Sequence, residues 1–194
     1  MLTGRYQARF GYEYNPKYNP DDHRQGVPLS EMMLPALLKN AGYITGWIGK
    51  WHLGAAPEFY PQNRGFMETF GFIGGGHHYI NWEPGGAEYN LPILRNGKSV
   101  AVKEHLTIAF GSEAASFIKR HADKPWFLYL AFNAPHLPNE PTEERLERFK
   151  GIKDKQRRAY AAQISLMDDA IGKALQSLKD SGQSQRTVIA LFQR

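Results

Sequence analysis

Gly42-Tyr43-Ile44-Thr45-Gly46-Trp47-Ile48-Gly49-Lys50-Trp51-His52-Leu53-Gly54 is the stretch on which the fold turns. Its first half, residues 43–48, is β-branched and aromatic and reads as a strand. Its second half is a glycine-bounded tip that carries a lysine and a histidine. Immediately upstream, Leu34, Leu37, Leu38 and Ala41 recur at helical spacing. Pro35 is tolerable in a first turn and Gly42 is a natural stop, so the spacing predicts a helix over about 33–41. Before it, residues 1–28 are rich in Tyr, Asn, Pro and Gly and read as an irregular loop region.

Downstream, residues 54–103 read mostly as loop, with a small hairpin around 91–102 turning at Asn96-Gly97. A helix over about 106–121 should bury Ala114, Phe117 and Ile118. Trp126-Phe127-Leu128-Tyr129-Leu130-Ala131-Phe132 is almost wholly apolar, as a strand covered on both faces should be. Tyr160, Ile164, Met167, Ile171, Leu175 and Leu178 step by three or four residues, which predicts one apolar stripe along a helix of about 155–180, closed by Gly182. Thr187-Val188-Ile189-Ala190-Leu191-Phe192 then reads as the start of a third apolar strand. Strands alternating with helices across long crossovers predict an α/β fold with a mostly parallel sheet flanked by helices.

Composition narrows the function. The 194 residues carry 24 Lys and Arg against 19 Asp and Glu, a net charge of +5 with the basic residues scattered. A small anionic substrate accounts for that surplus as well as nucleic acid would, and no nucleic-acid partner is expected. No cysteine is present, which removes disulfides, cysteine-based zinc sites and a cysteine nucleophile from these residues. No apolar run approaches the roughly 18 residues of a membrane span. No secretory signal is legible, because Thr3, Arg5, Gln7 and Arg9 arrive at once.

In parallel sheets, ligands gather beyond the carboxyl ends of the strands. There the first strand delivers Lys50 and His52, and the second delivers His136 within Asn133-Ala134-Pro135-His136-Leu137-Pro138. A lysine offers a compact positive charge with three donors, and a histidine moves a proton near neutral pH. Together they suit a sulfate or phosphate ester, with a histidine as general acid to the leaving oxygen and the lysine on the equatorial oxygens. The bland alternative, in which these residues only brace loops, stays open from spacing alone. His77-His78 after Gly74-Gly75-Gly76 is a candidate for the substrate mouth, with a zinc site from His52, His77, His78 and His136 as the weaker reading. The three glycines are no dinucleotide fingerprint, since no helix start follows them. Arg5 reads as an ion-pair partner, Asp168 and Asp169 as helix-packing or solvated groups, and Lys153, Lys155, Arg157 and Arg158 as a wet helix start.

The residues also carry a family resemblance. Residues 42–54 closely resemble the second sulfatase signature, G-Y-x-T-x-x-I-G-K-W-H-L-G, and Met1-Leu2-Thr3-Gly4-Arg5 resembles the tail of the first, C/S-x-P-x-R-x-x-L-L-T-G-R. Arg64-Gly65-Phe66 with Phe70-Gly71-Phe72-Ile73-Gly74-Gly75-Gly76-His77, the loop Ala134-Pro135-His136-Leu137-Pro138, and Tyr160, Ile164, Met167-Asp168 and Gly172 are similar to further family patterns, in family order. The resemblance implies a formylglycine-dependent type I sulfatase of the alkaline-phosphatase-like superfamily, with calcium held by Asp and Asn. It also implies sulfated small-molecule or glycan substrates. Carried over by position, Lys50 would contact sulfate and formylglycine, His52 would orient the formylglycine hydroxyl, and His136 would contact sulfate near the leaving oxygen. His77 would lie at the substrate mouth.

The nucleophile motif and the calcium ligands of the pattern are not among these residues, and Asp21-Asp22 does not match the calcium pair in position. Residues 1–194 are therefore expected to be the middle of a sulfatase catalytic domain, inactive alone and prone to self-association through uncovered sheet edges. The alternatives are a phosphonate or phosphodiester hydrolase relative, or a non-catalytic remnant that binds anionic glycans. Family members are often periplasmic, lysosomal or secreted, and the sequence leaves the location of this one undecided.

Overall fold

The computed structural model describes residues 1–192 and is organised around the strand quoted above. This strand, β1 (Ile44–Lys50), belongs to a five-stranded sheet, second from one edge. Two strands flank it in parallel, β2 (Glu68–Phe72) and β5 (Trp126–Ala131), and the short hairpin of β3 (Ile93–Arg95) and β4 (Lys98–Val100) extends the β2 side antiparallel, in the order β4-β3-β2-β1-β5. The expected α/β architecture with a mostly parallel sheet is the one observed. At the hairpin turn Asn96 and Gly97 both have positive φ, 50° and 79°, the combination that a tight two-residue turn requires.

The three parallel strands come close at Gly49. A Cβ there would lie 2.0 Å from the Ala131 carbonyl oxygen, with φ at 117°, so only glycine fits where β1 passes β5 just before the Lys50 tip. β2 itself is absent from the sequence-based expectation, which reads residues 54–103 mostly as loop. Its five residues include Gly71 and stand in a glycine-rich stretch, so propensity is silent; pairing with β1 supplies what propensity does not.

Each face of the sheet has its own core. On one, Ile48, Phe70 and Phe72 pack against α2 (Leu106–Arg120) and α4 (Lys155–Asp180). Phe110, at 0% exposure, sits edge-on to Phe70 and parallel to Phe72, and burial of such a ring is worth about 1.5–3 kcal/mol. On the other, Trp47, Trp51, Phe66, Phe127 and Tyr129 pack with Met33 and Leu2, beside the short helix α1 (Leu34–Asn40). The Arg64 guanidinium is buried there and donates to the carbonyls of Val27, Pro28 and Glu31, while Glu31 pairs with Arg5 as the sequence leads one to expect. A further helix, α3 (Glu143–Arg148), capped by Thr142, joins β5 to α4.

Three expectations change in the structure. First, the buried positions of α4 are Ala162, Gln163, Leu166, Ala170, Ala174 and Leu178; of the expected stripe Leu178 is buried and Met167 packs partly buried on the core, whereas Tyr160 and Leu175 are exposed. The buried face is shifted towards alanines where the helices approach closely, because α2 presents Gly111 hard against Ala170. Second, β5 is covered on both faces, yet each of its residues is only half-buried, because it is an edge strand. Third, Thr187–Phe192 forms no strand. Gln183 is anchored by Trp126 Nε1–H and by its own donation to the Ile118 carbonyl, a short turn over Ser184–Arg186 follows, and among the described residues beyond it the chain joins no strand, with Val188 94% exposed. Apolar β-branched residues without a cross-strand partner do not make a strand.

Candidate active site

The ends of β1 and β5 lie side by side, and the chain beyond each turns over the same corner of the molecule. Trp51 points inward, buried and donating to the Phe59 carbonyl. By strand alternation Lys50, the last residue of β1, falls on the opposite face from Trp47, and His52 follows just past the strand. His52 takes a left-handed conformation, φ 55°. Its carbonyl accepts from Tyr12 Oη and its Nε2 lies 2.9 Å from the Pro16 carbonyl, so the first loop region is folded down onto this one residue. Because a carbonyl only accepts, Nε2 carries the proton and Nδ1 is the acceptor of the neutral ring. Burial pushes the His52 imidazole below its ordinary range, and the positive fields of Lys50 and His136 push the same way, against the Pro16 carbonyl and the carboxylate of Glu88.

Those fields place the groups. Lys50, His136 and Glu88 all stand close enough to His52 to act on its charge, so the structure brings together three of the four sequence-selected residues. His136 is exposed on a loop begun by its own N–H donating to the Asn133 carbonyl. Its Nδ1 donates to the Leu137 carbonyl at 2.7 Å, which leaves Nε2 as the nitrogen available to a ligand.

The fourth residue is a correction. His77 is 1% exposed, with Nδ1 2.6 Å from the His78 carbonyl and Nε2 2.8 Å from the Leu91 carbonyl, and its ring lies between Phe72 and Trp82. Burial pushes its pKa down. With both nitrogens turned to backbone and no open face, it braces the loop and does not line a mouth. This also removes the four-histidine zinc alternative, since His77 and His52 Nε2 are already engaged.

The glycine run explains what does line the site. A Cβ on Gly75 would sit 2.6 Å from His52 Nε2 and 2.7 Å from Glu88 Oε1, so these two atoms lie within about 5.3 Å of each other across a bare backbone. A Cβ on Gly76 would sit 2.6 Å from the ring of Tyr89, and one on Gly74 would sit 2.6 Å from Leu91. Gly74-Gly75-Gly76 is a floor, and the turn Glu88–Asn90 lies flat on it, with Glu88 Oε1 accepting from Gly75 N–H. Glu88 and Tyr89 are site residues that sequence reasoning misses. The triple glycine was their only trace.

Glu140 is another. Its two carboxylate oxygens take His78 Nδ1–H and Tyr79 N–H, each at 2.7 Å, its carbonyl accepts from His105 Nε2, and Tyr79 Oη donates to the His136 carbonyl. Residues 77–79 and 136–140 are thereby tied into one wall.

Calcium, implied by the resemblance, takes six to eight oxygen ligands. Among the described residues no three His, Asp or Glu side chains converge to hold an ion. Asp22 is engaged by Arg24 and Gln25, whose hydrogen bonds hold its carboxyl at about 2. The residues present do not fit a calcium site. Nor do they include a C/S-x-P-x-R segment that would supply formylglycine. No step below runs through either group.

The family model described as Sulfatase matches residues 1–192. Over 97% of this chain, it is 33% identical to "Uncharacterized sulfatase YdeN" of Escherichia coli and 36% identical to the N-acetylgalactosamine-6-sulfatase of Homo sapiens, spanning 36% and 38% of their lengths. Among solved structures, that of Ps i-CgsB in complex with k-i-k-neocarrahexaose superposes with a TM-score of 0.88 at 35% identity, over 94% of this chain and 43% of that one. The chain thus spans well under half the length of the relatives it matches.

Proposed function

The chain belongs to the sulfatase family, and from that premise we propose that the pocket at the ends of β1 and β5 holds the sulfate group of a sulfated glycan and contributes to hydrolysis of its ester. The observation that supports this reading is that Lys50, His52 and His136 stand near one another beyond the ends of two adjacent parallel strands, near enough for Lys50 and His136 to act on the charge of His52. The Lys50 ammonium sets a compact cation against equatorial sulfate oxygens, and its charge is in place before the reaction begins. His136 presents Nε2; protonated there, it donates to the sulfate and to the alcohol oxygen as the S–O bond breaks. His52, with Nε2–H given to Pro16, offers Nδ1 as an acceptor that orients a hydroxyl nucleophile. The formylglycine hydrate of the family supplies that nucleophile when present, and it is not provided by these residues. The names of two similar proteins, an N-acetylgalactosamine-6-sulfatase and a structure bound to a neocarrahexaose, support a carbohydrate as the group that leaves.

The test has two arms. The 194-residue chain should bind inorganic sulfate, with NMR shifts centred on Lys50, His52 and His136, and Lys50→Ala should weaken that binding about tenfold or more. It should not turn over an aryl sulfate. Joined in frame to a C-x-P-x-R segment ahead of Leu2 and to a downstream Asp-Asn pair, then matured, it should do so. In that enzyme His136→Ala should cost about 10²-fold in kcat. Sulfate that leaves all three residues unshifted overturns the reading.

A further inference from the structure

The turn Glu88–Asn90 stands beside the candidate sulfate-binding residues: Glu88 Oε1 and His52 Nε2 flank Gly75, and the Tyr89 ring lies near that of His136. The outer end of the Tyr89 ring (Cε1, Cζ and Oη) sits against the Gly76 backbone, its ring centroid is 6.0 Å from that of His78 and 6.5 Å from that of His136, and the residue is 36% exposed. Its carbonyl accepts from His78 N–H, which pins the turn to the wall made by Glu140. Beside it, Glu88 spends Oε1 on Gly75 N–H and keeps Oε2 as an acceptor within the same corner as His52. A flat, supported aromatic face next to a carboxylate matches a hydroxylated ring: the C–H face of a pyranose covers the arene while its hydroxyls donate to the carboxylate. A simple anion has no use for either group, and a carboxylate beside the anion would oppose it.

We propose that Tyr89 and Glu88 are specificity residues that recognise the hexose ring bearing the sulfate, Tyr89 by stacking and Glu88 by accepting from a ring hydroxyl. The inference rests on the sulfate reading of the pocket and adds the groups that read the sugar. Gly76 is required by the same arrangement, because any side chain there would lift Tyr89 off its support. Sequence spacing carries no sign of this, since Gly76 and Tyr89 lie 13 positions apart in an irregular stretch.

The experiment measures the dissociation constants of the chain for galactose 6-sulfate and for inorganic sulfate by calorimetry, together with the melting temperature of each variant. Tyr89→Ala should raise the ratio of the two constants, sugar over sulfate, about tenfold, and Tyr89→Phe, which keeps the ring, should restore it. Glu88→Ala should raise the ratio several-fold as well. Lys50→Ala should weaken both ligands together. An unchanged ratio in Tyr89→Ala and Glu88→Ala, with sulfate still bound, overturns this inference and leaves the sulfate reading standing. Failure of the parent chain to bind either ligand overturns both.

Discussion

His52 pays for its position with backbone strain. A left-handed φ on a residue bearing a Cβ costs on the order of 1–3 kcal/mol, and here Tyr12 and Pro16 hold it from two sides. Its imidazole is one of three that burial holds below the ordinary range. The others are His77, between Phe72 and Trp82, and His105, which caps α2 through Nδ1 and donates to the Glu140 carbonyl through Nε2. The sign follows from proton counting. As pH falls below about 6.5 the unfolded chain gains protons on these rings and the native chain resists, so stability is present above that pH and is lost on acidification. Glu68 and Glu113 continue the trend further down. Burial raises each, but Arg120 and His121 around Glu68, and Arg95 and Arg120 around Glu113, outweigh it and leave both carboxyls below the usual range. Melting temperature followed by circular dichroism should be level from pH 8 to 7 and fall steadily towards pH 5. His105→Gln should make the decline shallower. A flat profile across pH 7 to 5 would show that these rings titrate as they do in water.

At the scale of elements, the contact between α2 and α4 shows what periodicity reveals and what it hides. The end of α4 is written plainly, by Gly182 just beyond it, and in the structure Asp154 caps its start. Its buried face is not, because a hydrophobicity pattern weights Tyr160 and Leu175 above alanine, while close packing of two helices selects the small residues. The same limit hid β2, whose five residues become a strand only because β1 stands beside them. Lys50, His52 and His136 were legible because they stand just past strongly apolar strands, whereas Glu88 and Tyr89 reach the site through a turn with no period at all. Two glycine substitutions test the helix contact by their opposite signs. Alanine is worth about 1 kcal/mol more than glycine in a helix. At Gly172 a Cβ meets nothing within 4 Å, so Gly172→Ala should gain about that amount in denaturant unfolding. At Gly111 the Cβ would lie 2.7 Å from Ala170 Cβ and 2.9 Å from its carbonyl oxygen, and overpacking against backbone costs about 1–3 kcal/mol, so Gly111→Ala should lose stability on balance. Equal gains at both positions would mean that the helices are not in tight contact there.

At the scale of the whole molecule, the described residues leave an open strand edge and exposed apolar side chains near the C-terminal end. β5 is an edge strand with a neighbour on one side only, and every one of its six residues is half-buried. Beyond Gln183 the apolar side chains of Val188, Ile189, Leu191 and Phe192 are 62–94% exposed. An open edge with apolar strand-forming residues close by in sequence invites pairing with another chain, and the net charge of +5 on 194 residues is modest repulsion against it. The 194-residue chain is therefore expected to self-associate, with a sedimentation coefficient that rises with protein concentration. Replacing the exposed apolar residues with serine (Val188→Ser, Leu191→Ser and Phe192→Ser together) removes no core contact, so the melting temperature should hold while the concentration dependence weakens. Association that persists unchanged in the triple variant would show that Val188, Leu191 and Phe192 do not drive it, whereas a monomer at every concentration in the parent chain would show that neither feature recruits a partner.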